Sequence, residues 1–150
     1  MIIQSVFESH QTIPAKYTCD GENISPPLNF LQVPAGTKSF VLIMDDPDAP
    51  HGTFDHWIVW NLPPKLREIS EGAEELSKLL PPPNFGMNGF KKPSYQGPCP
   101  PSGKPHHYHF KLYALNVQLL LPDGSSKKDV EGAMKGHILD QAELVGIYQH

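Results

Sequence analysis

The chain is 150 residues long, and its 12 Lys and Arg against 16 Asp and Glu give a formal net charge of −4 with histidine neutral. That length suits one domain over residues 1–150, and an acidic chain without a basic run is a poor fit to nucleic acid, whose phosphates need many cationic contacts. No stretch reads as a membrane span, which excludes integral membrane association. "MIIQSVFESH" also lacks the pattern of a secretory leader, so the expected address is cytoplasmic.

The 17 prolines fall in clusters: "SPPL" (25–28), "DPDAP" (46–50), "NLPP" (61–64), "LPPPN" (80–84) and "GPCPPSGKP" (97–105). They separate runs that read as strands. "SFVLIMDD" (39–46) is almost continuously apolar, as a strand buried on both faces would be. "HWIVWNL" (56–62) is rich in β-branched and aromatic residues. "AEELSKLL" (73–80) is a candidate short helix, ended by the prolines that follow. In "HHYHFKLYAL" (106–115), His106, Tyr108, Phe110, Leu112 and Ala114 share one face, and His107, His109 and Lys111 start the other. "SSKKDVEGAMKGHIL" (125–139) predicts a helix with Ser126 at its N-cap and Asp129 three residues on. Its apolar stripe is Val130, Met134 and Ile138. "ELVGIYQ" (143–149) predicts a last strand weakened by Gly146. The sum is a mostly β domain with one or two short peripheral helices.

Two segments concentrate chemistry. In "DDPDAPHGTFDHWIVWNLPP" (45–64), Asp45, Asp46, Asp48, His51 and His56 crowd one turn between two apolar runs. If those runs pair antiparallel, Asp46 and His56 meet at one end of the sheet. The prolines stiffen the turn, with Ala49–Pro50 a candidate cis bond. The plainer reading of each Asp is a turn cap. "GPCPPSGKPHHYHF" runs a stiff Gly- and Pro-rich loop into a strand that starts with His106. Exposed backbone N–H groups beside a histidine suit an anion.

The same residues admit other chemistries. His107 and His109 share a strand face and, with one acid, make three metal donors, but that spacing is common by chance and no metal is assigned. Cys99 between prolines has no evident oxyanion partner for a thiol nucleophile, and no G-x-S-x-G stretch supports a serine triad. In a reducing compartment Cys19 and Cys99 would be two unlinked thiols, while a disulfide between them stays open, since pairing is a question of geometry.

These segments carry a resemblance. "DPDAPHGTFDHWIVWNLP" and "GPCPPSGKPHHYHFKLYAL" resemble the paired signatures of the phosphatidylethanolamine-binding protein (PEBP) family. "YTCDGENISPPLNF", "NFGMNGF" and "AELVGIY" are similar to its short bacterial and archaeal, Raf kinase inhibitor-like, branch. The resemblance implies a β-sandwich with a large central antiparallel sheet, a smaller second sheet and short helices. It also implies a pocket for phosphate-like anions lined by Asp46, Asp48, His56, Gly97, Pro100, Pro101, His106 and Tyr108. On that reading the two histidines donate N–H groups to the anion, and Asp46 orients one of them and raises its pKa. Tyr108 adds a hydroxyl, and the prolines form an apolar wall.

The implied function is a non-enzymatic binding or regulatory protein without a cofactor. It would take a phospholipid headgroup, a phosphorylated small molecule or a phosphoprotein, with a kinase or protease as protein partner. The alternative is a hydrolase acting through His56 and Asp46. Trp57, Trp60 and the Pro-rich loops are candidate interface elements for a homodimer. The sequence departs from the branch at Phe30, where a Trp is usual, at "KKPSYQ" (91–96), whose lysines are candidates to reach an anion, and at His107, where an Arg is frequent. A cover for the pocket by a C-terminal helix, as in animal and plant members, is not expected after "GIYQH".

Overall fold

A computed structural model describes residues 1–150. In chain order the elements are β1 (Ile2–Gln4), β2 (Gln11–Thr12), β3 (Leu28–Leu31), β4 (Ser39–Asp46), β5 (Phe54–Leu62), β6 (Glu68–Ile69), β7 (Asn84–Phe85), β8 (His106–Leu115), α1 (Lys127–Met134) and β9 (Ile138–Tyr148). A six-stranded sheet runs β2-β9-β8-β4-β5-β7, and a three-stranded sheet runs β1-β3-β6. The large sheet is antiparallel except at its edge, where the two residues of β2 lie parallel to β9. The fold is the two-sheet, mostly β architecture expected.

Strand β4 sits at the centre of the large sheet and is buried along its whole length. Its side chains alternate between two cores. Phe40, Leu42 and Met44 join Ile3, Leu28, Phe30 and Ile69 of the small sheet, so this core fills the space between the sheets. Val41 and Ile43 face the other way and join Ile58, Trp60, Val130 and Met134 under α1. A strand with both faces covered has no use for alternating polarity, which is why "SFVLIMDD" is apolar throughout. Strand β8 shows the opposite case, buried at every second residue from His106 to Ala114.

Several expectations are corrected. The helix begins as predicted, with Ser126 and Asp129 exchanging bonds in a capping box. It ends at Met134, however, because Gly136 adopts a left-handed φ of 79°. Ile138 therefore opens β9 opposite Leu115 instead of closing a helical stripe. Residues 74–78 form a 3-10 turn where a helix was expected. The cis peptide is Leu80–Pro81, not Ala49–Pro50. Trp57 and Trp60 are buried in the two cores, so neither can build the homodimer interface considered above. Gly146 marks a close approach rather than a weak strand: a Cβ there would lie 2.4 Å from Ile13 Cγ1, where β2 packs on β9. No helix is long and apolar enough to cross a membrane.

Candidate functional site

At the end of the large sheet where β4 finishes and β5 and β8 begin, a cavity of about 430 Å³, counting its open mouth, lies between the two chemistry-bearing segments. The pairing of β4 with β5 places Asp46 opposite Phe54, two residues from His56. The β8 start contributes His106 and Tyr108. Seven of the eight expected site residues line the cavity: Asp46, His56, Gly97, Pro100, Pro101, His106 and Tyr108. Asp48 does not. Its carboxylate stands at the rim, accepting from the His107 backbone N–H at 2.8 Å and bonded to His107 Nδ1 at 2.7 Å. Burial would raise the Asp48 pKa, but these bonds outweigh it and hold the carboxyl below its ordinary range.

The three opening acids thus separate, for a reason built into the strand. Successive residues of a strand point to opposite faces. Asp46 faces the cavity, while Asp45, also 3 % exposed, faces the α1 side and accepts from Lys111 Nζ and Lys127 Nζ, each at 3.1 Å. Lys127 also pairs with Asp55 at 2.7 Å. Its burial alone would lower the ammonium pKa, but the two carboxylates more than offset this and the net shift is upward. Asp45 is a buried ion-pair centre on the other face of the sheet, outside the cavity.

Both pocket histidines are oriented through Nδ1. His56 Nδ1 lies 2.5 Å from the Gln96 carbonyl oxygen, which can only accept, so Nδ1 carries the hydrogen. His106 Nδ1 lies 2.7 Å from Asp46 Oδ2, and Asp46 Oδ1 accepts from the Asp48 N–H at 2.8 Å. An ionised Asp46 likewise fixes the hydrogen on Nδ1 of His106. In the neutral rings Nε2 is then a lone pair, not a donor. In this form the rings present lone pairs to the cavity, and they donate from Nε2 only when protonated. Burial lowers the pKa of His56, against the opposing pull of the Gln96 carbonyl and the nearby carboxylates, so its neutral form is favoured. Tyr108 is pushed above the ordinary phenol range, first by burial and then by Asp46, so its hydroxyl stays protonated and can donate.

The walls include residues that the sequence reading missed. Phe54, Phe90, Ala49, Pro50 and Cys99 also line the cavity. Phe54 sets its ring edge to the His56 ring at 4.9 Å and to Phe90 at 5.0 Å between centroids. Its position two residues before His56, on the same strand face, was a usable signal; Phe90 had none beyond "NFGMNGF". Lys91 and Lys92 are exposed and do not line the cavity. His107 and His109 pair separately, with Asp48 and Glu143, and form no joint metal cluster.

The loop after Gly97 is fastened by its neighbours. Gly97 N–H donates to Asn23 Oδ1 at 2.9 Å, and Cys19 N–H to the Pro98 carbonyl at 3.1 Å. Cys19 and Cys99, whose pairing the sequence left open, are joined in a disulfide. Neighbourhood in the fold decided this, and sequence spacing carries no such information. Cys99 is therefore unavailable as a nucleophile in this state. Gly97 has no room for a side chain, since a Cβ would come within 2.3 Å of the Tyr17 carbonyl oxygen. Gly97→Ala is expected to cost about 2 kcal/mol by overpacking, read from the midpoint of urea unfolding. A midpoint equal to that of the unmodified chain would mean the loop is not held against Tyr17.

The family model for phosphatidylethanolamine-binding protein matches residues 3–149, and the chain belongs to this family. A UPF0098 protein of Pyrococcus horikoshii is 49% identical over 150 residues, covering 98% of this chain and 75% of the relative. Two solved structures are similar. One is a putative phosphatidylethanolamine-binding protein homologue from Chlamydia trachomatis, at 41% identity and a TM-score of 0.91, over 99% of this chain and 97% of the other. The second is YbcL of E. coli, described as a member of the mammalian PEBP family, at 31% identity and a TM-score of 0.88 over the same shares.

Proposed function

We propose that this protein is a non-enzymatic binding protein whose pocket takes a small oxyanion in its hydrogen-bearing form. Suitable groups are a phosphomonoester on a small molecule, in a phospholipid headgroup that carries one, or on a phosphorylated protein. The observation that carries the proposal is the pair of Nδ1-anchored rings, His56 on the Gln96 carbonyl and His106 on Asp46, beside the Tyr108 hydroxyl. Tyr108 supplies a donor to an anionic oxygen. A neutral Nε2 accepts the P–OH hydrogen of a monoanion. Phe54, Phe90 and the prolines keep the rest of the wall apolar, which strengthens those few polar contacts by excluding water. By analogy with the family, a kinase or protease carrying such a group would be a protein partner of the same pocket.

The hydrolase alternative needs His56 and Asp46 as one unit. They are committed to different partners: Asp46 bonds His106, and His56 bonds Gln96. The test is an NMR titration of the histidine ring signals with O-phosphorylethanolamine. Saturable shifts of His56 and His106 are expected. His106→Ala should weaken binding by about 2 kcal/mol, roughly thirtyfold. Equal affinity in the variant, or no shift at all, would refute the site. Steady release of phosphate during the titration would instead make the protein an enzyme.

A further inference from the structure

A group of metal-type donors lies behind the pocket wall. One ligand atom from each of Cys19, Asp20 and His150 falls within 4.8 Å of the others. Cys99 Sγ lies outside this group of three but is the atom bonded to Cys19 Sγ, so it stands next to the group. With the disulfide formed, both sulfurs are spent on each other and no thiolate is available. The remaining groups are nevertheless held in place. Asp20 Oδ2 accepts from the Tyr148 hydroxyl at 2.5 Å and lies 2.6 Å from His150 Nε2. Gln149 Nε2 donates to the Gly103 carbonyl at 2.6 Å, which ties the end of the chain to the loop that carries Cys99. The Cys19 N–H bond to Pro98 ties the other two segments together.

We propose that reduction of the Cys19–Cys99 bond converts this cluster into a Zn²⁺ site with Cys19, Cys99, Asp20 and His150 as its four ligands. Donor chemistry selects the metal. Two thiolates, an imidazole and a carboxylate are tetrahedral zinc donors, whereas Mg²⁺ and Ca²⁺ take oxygen. Position supports it as well, because three separate chain segments are drawn together by bonds that do not depend on the disulfide. Access is open, with Cys99 exposed and Cys19 half-buried. The reductant is a protein or small-molecule dithiol. One of its thiolates attacks a sulfur of the Cys19–Cys99 bond, giving a mixed disulfide, and its second thiol displaces the other cysteine. The dithiol leaves as a disulfide, and the two electrons and two protons it loses stand on Cys19 and Cys99 as thiols. Zn²⁺ then displaces those protons. His150 exchanges its contact with Asp20 for the metal, and the metal takes over the cross-link that the disulfide supplied. The site does not depend on the anion pocket, with which it shares only the Cys99 wall.

Cobalt, a coloured stand-in for zinc, tests this on the full chain, once reduced with a phosphine and once left oxidised. One equivalent of Co²⁺ is expected to bind the reduced protein, with thiolate-to-cobalt charge-transfer bands and intense tetrahedral visible bands, and to be displaced by Zn²⁺. The oxidised protein should show neither. His150→Ala and Asp20→Asn, which leave both cysteines in place, should each weaken binding roughly tenfold or more. Identical titrations of oxidised and reduced protein would overturn the proposal. So would undiminished affinity in both variants, since two thiols alone would then explain the binding. A reduced chain that loses its native NMR spectrum and does not regain it on adding Zn²⁺ would overturn it too.

Discussion

Replacing Cys19 and Cys99 by serine is expected to lower the free energy of unfolding by about 4 kcal/mol. The bond joins residues 80 apart in sequence, so in the unfolded chain it closes a loop over about half the molecule. Removing the constraint frees that loop, and the entropy regained corresponds to roughly 4.5 kcal/mol at this length. The gain falls on the unfolded side, because the folded loop keeps its bonds from Gly97 to Asn23 and from Cys19 to Pro98. The double variant should therefore unfold at lower urea with a slightly steeper denaturant dependence, as its unfolded state expands. A loss under about 1 kcal/mol would show that the two loops stay together without the bond. Free-thiol labelling of the unmodified protein checks that the bond is present at the start.

The affinity for O-phosphorylethanolamine is expected to rise as pH falls, by about a hundredfold between pH 8.5 and pH 6.5. The sign follows from counting protons. With Nδ1 of His56 and His106 committed to Gln96 and Asp46, contact between a neutral Nε2 and a phosphate oxygen needs one hydrogen between them. The complex therefore holds one more proton than the dianion and neutral rings apart. A complex richer in protons is favoured at lower pH, by about tenfold per unit while the free partners stay deprotonated. Phosphomonoesters lose their second proton near pH 6, and burial keeps the His56 pKa below its ordinary value, so the ligand and His56 both meet this condition across the window. Calorimetry in two buffers of different ionisation heat would detect the proton directly. An affinity that is flat, or that rises with pH, would mean that the site binds the dianion through N–H donors and that the ring hydrogens sit on Nε2.

Burial of His56 also bears on the unliganded protein. The folded state holds its pKa below that of the unfolded chain. Between those two values the unfolded chain binds more protons, so this contribution to stability is present above the unfolded pKa, near 6.5, and fades as pH falls through the folded one.

The sequence was most legible where one period dominates. The alternation in 106–115 marked the buried face of β8 and put His106 and Tyr108 together on it. The unbroken apolar run of β4 marked a strand covered on both sides. Capping chemistry located the start of α1 to the residue. Its end was misread because the apolar spacing of Val130, Met134 and Ile138 continues past Gly136, whose backbone turn overrides it. The site was legible as two segments, but not in its detail. Asp45 and Asp46 look equivalent in a string, and only the pleat shows that one serves α1 and the other the pocket. Which nitrogen of His56 is free depends on Gln96, forty residues away, and the cysteine pairing depends on two loops meeting. Neither meeting leaves a local trace.

The clasp of Gln149 on Gly103 has a practical consequence for handling the protein. Strand β9 delivers the last two residues directly onto the loop that forms one side of the pocket, with His150 against Asp20. Any peptide joined after His150 leaves the molecule beside that opening. A polyhistidine purification tag placed there would bring a string of imidazoles and adventitious nickel next to the cysteines and the cavity.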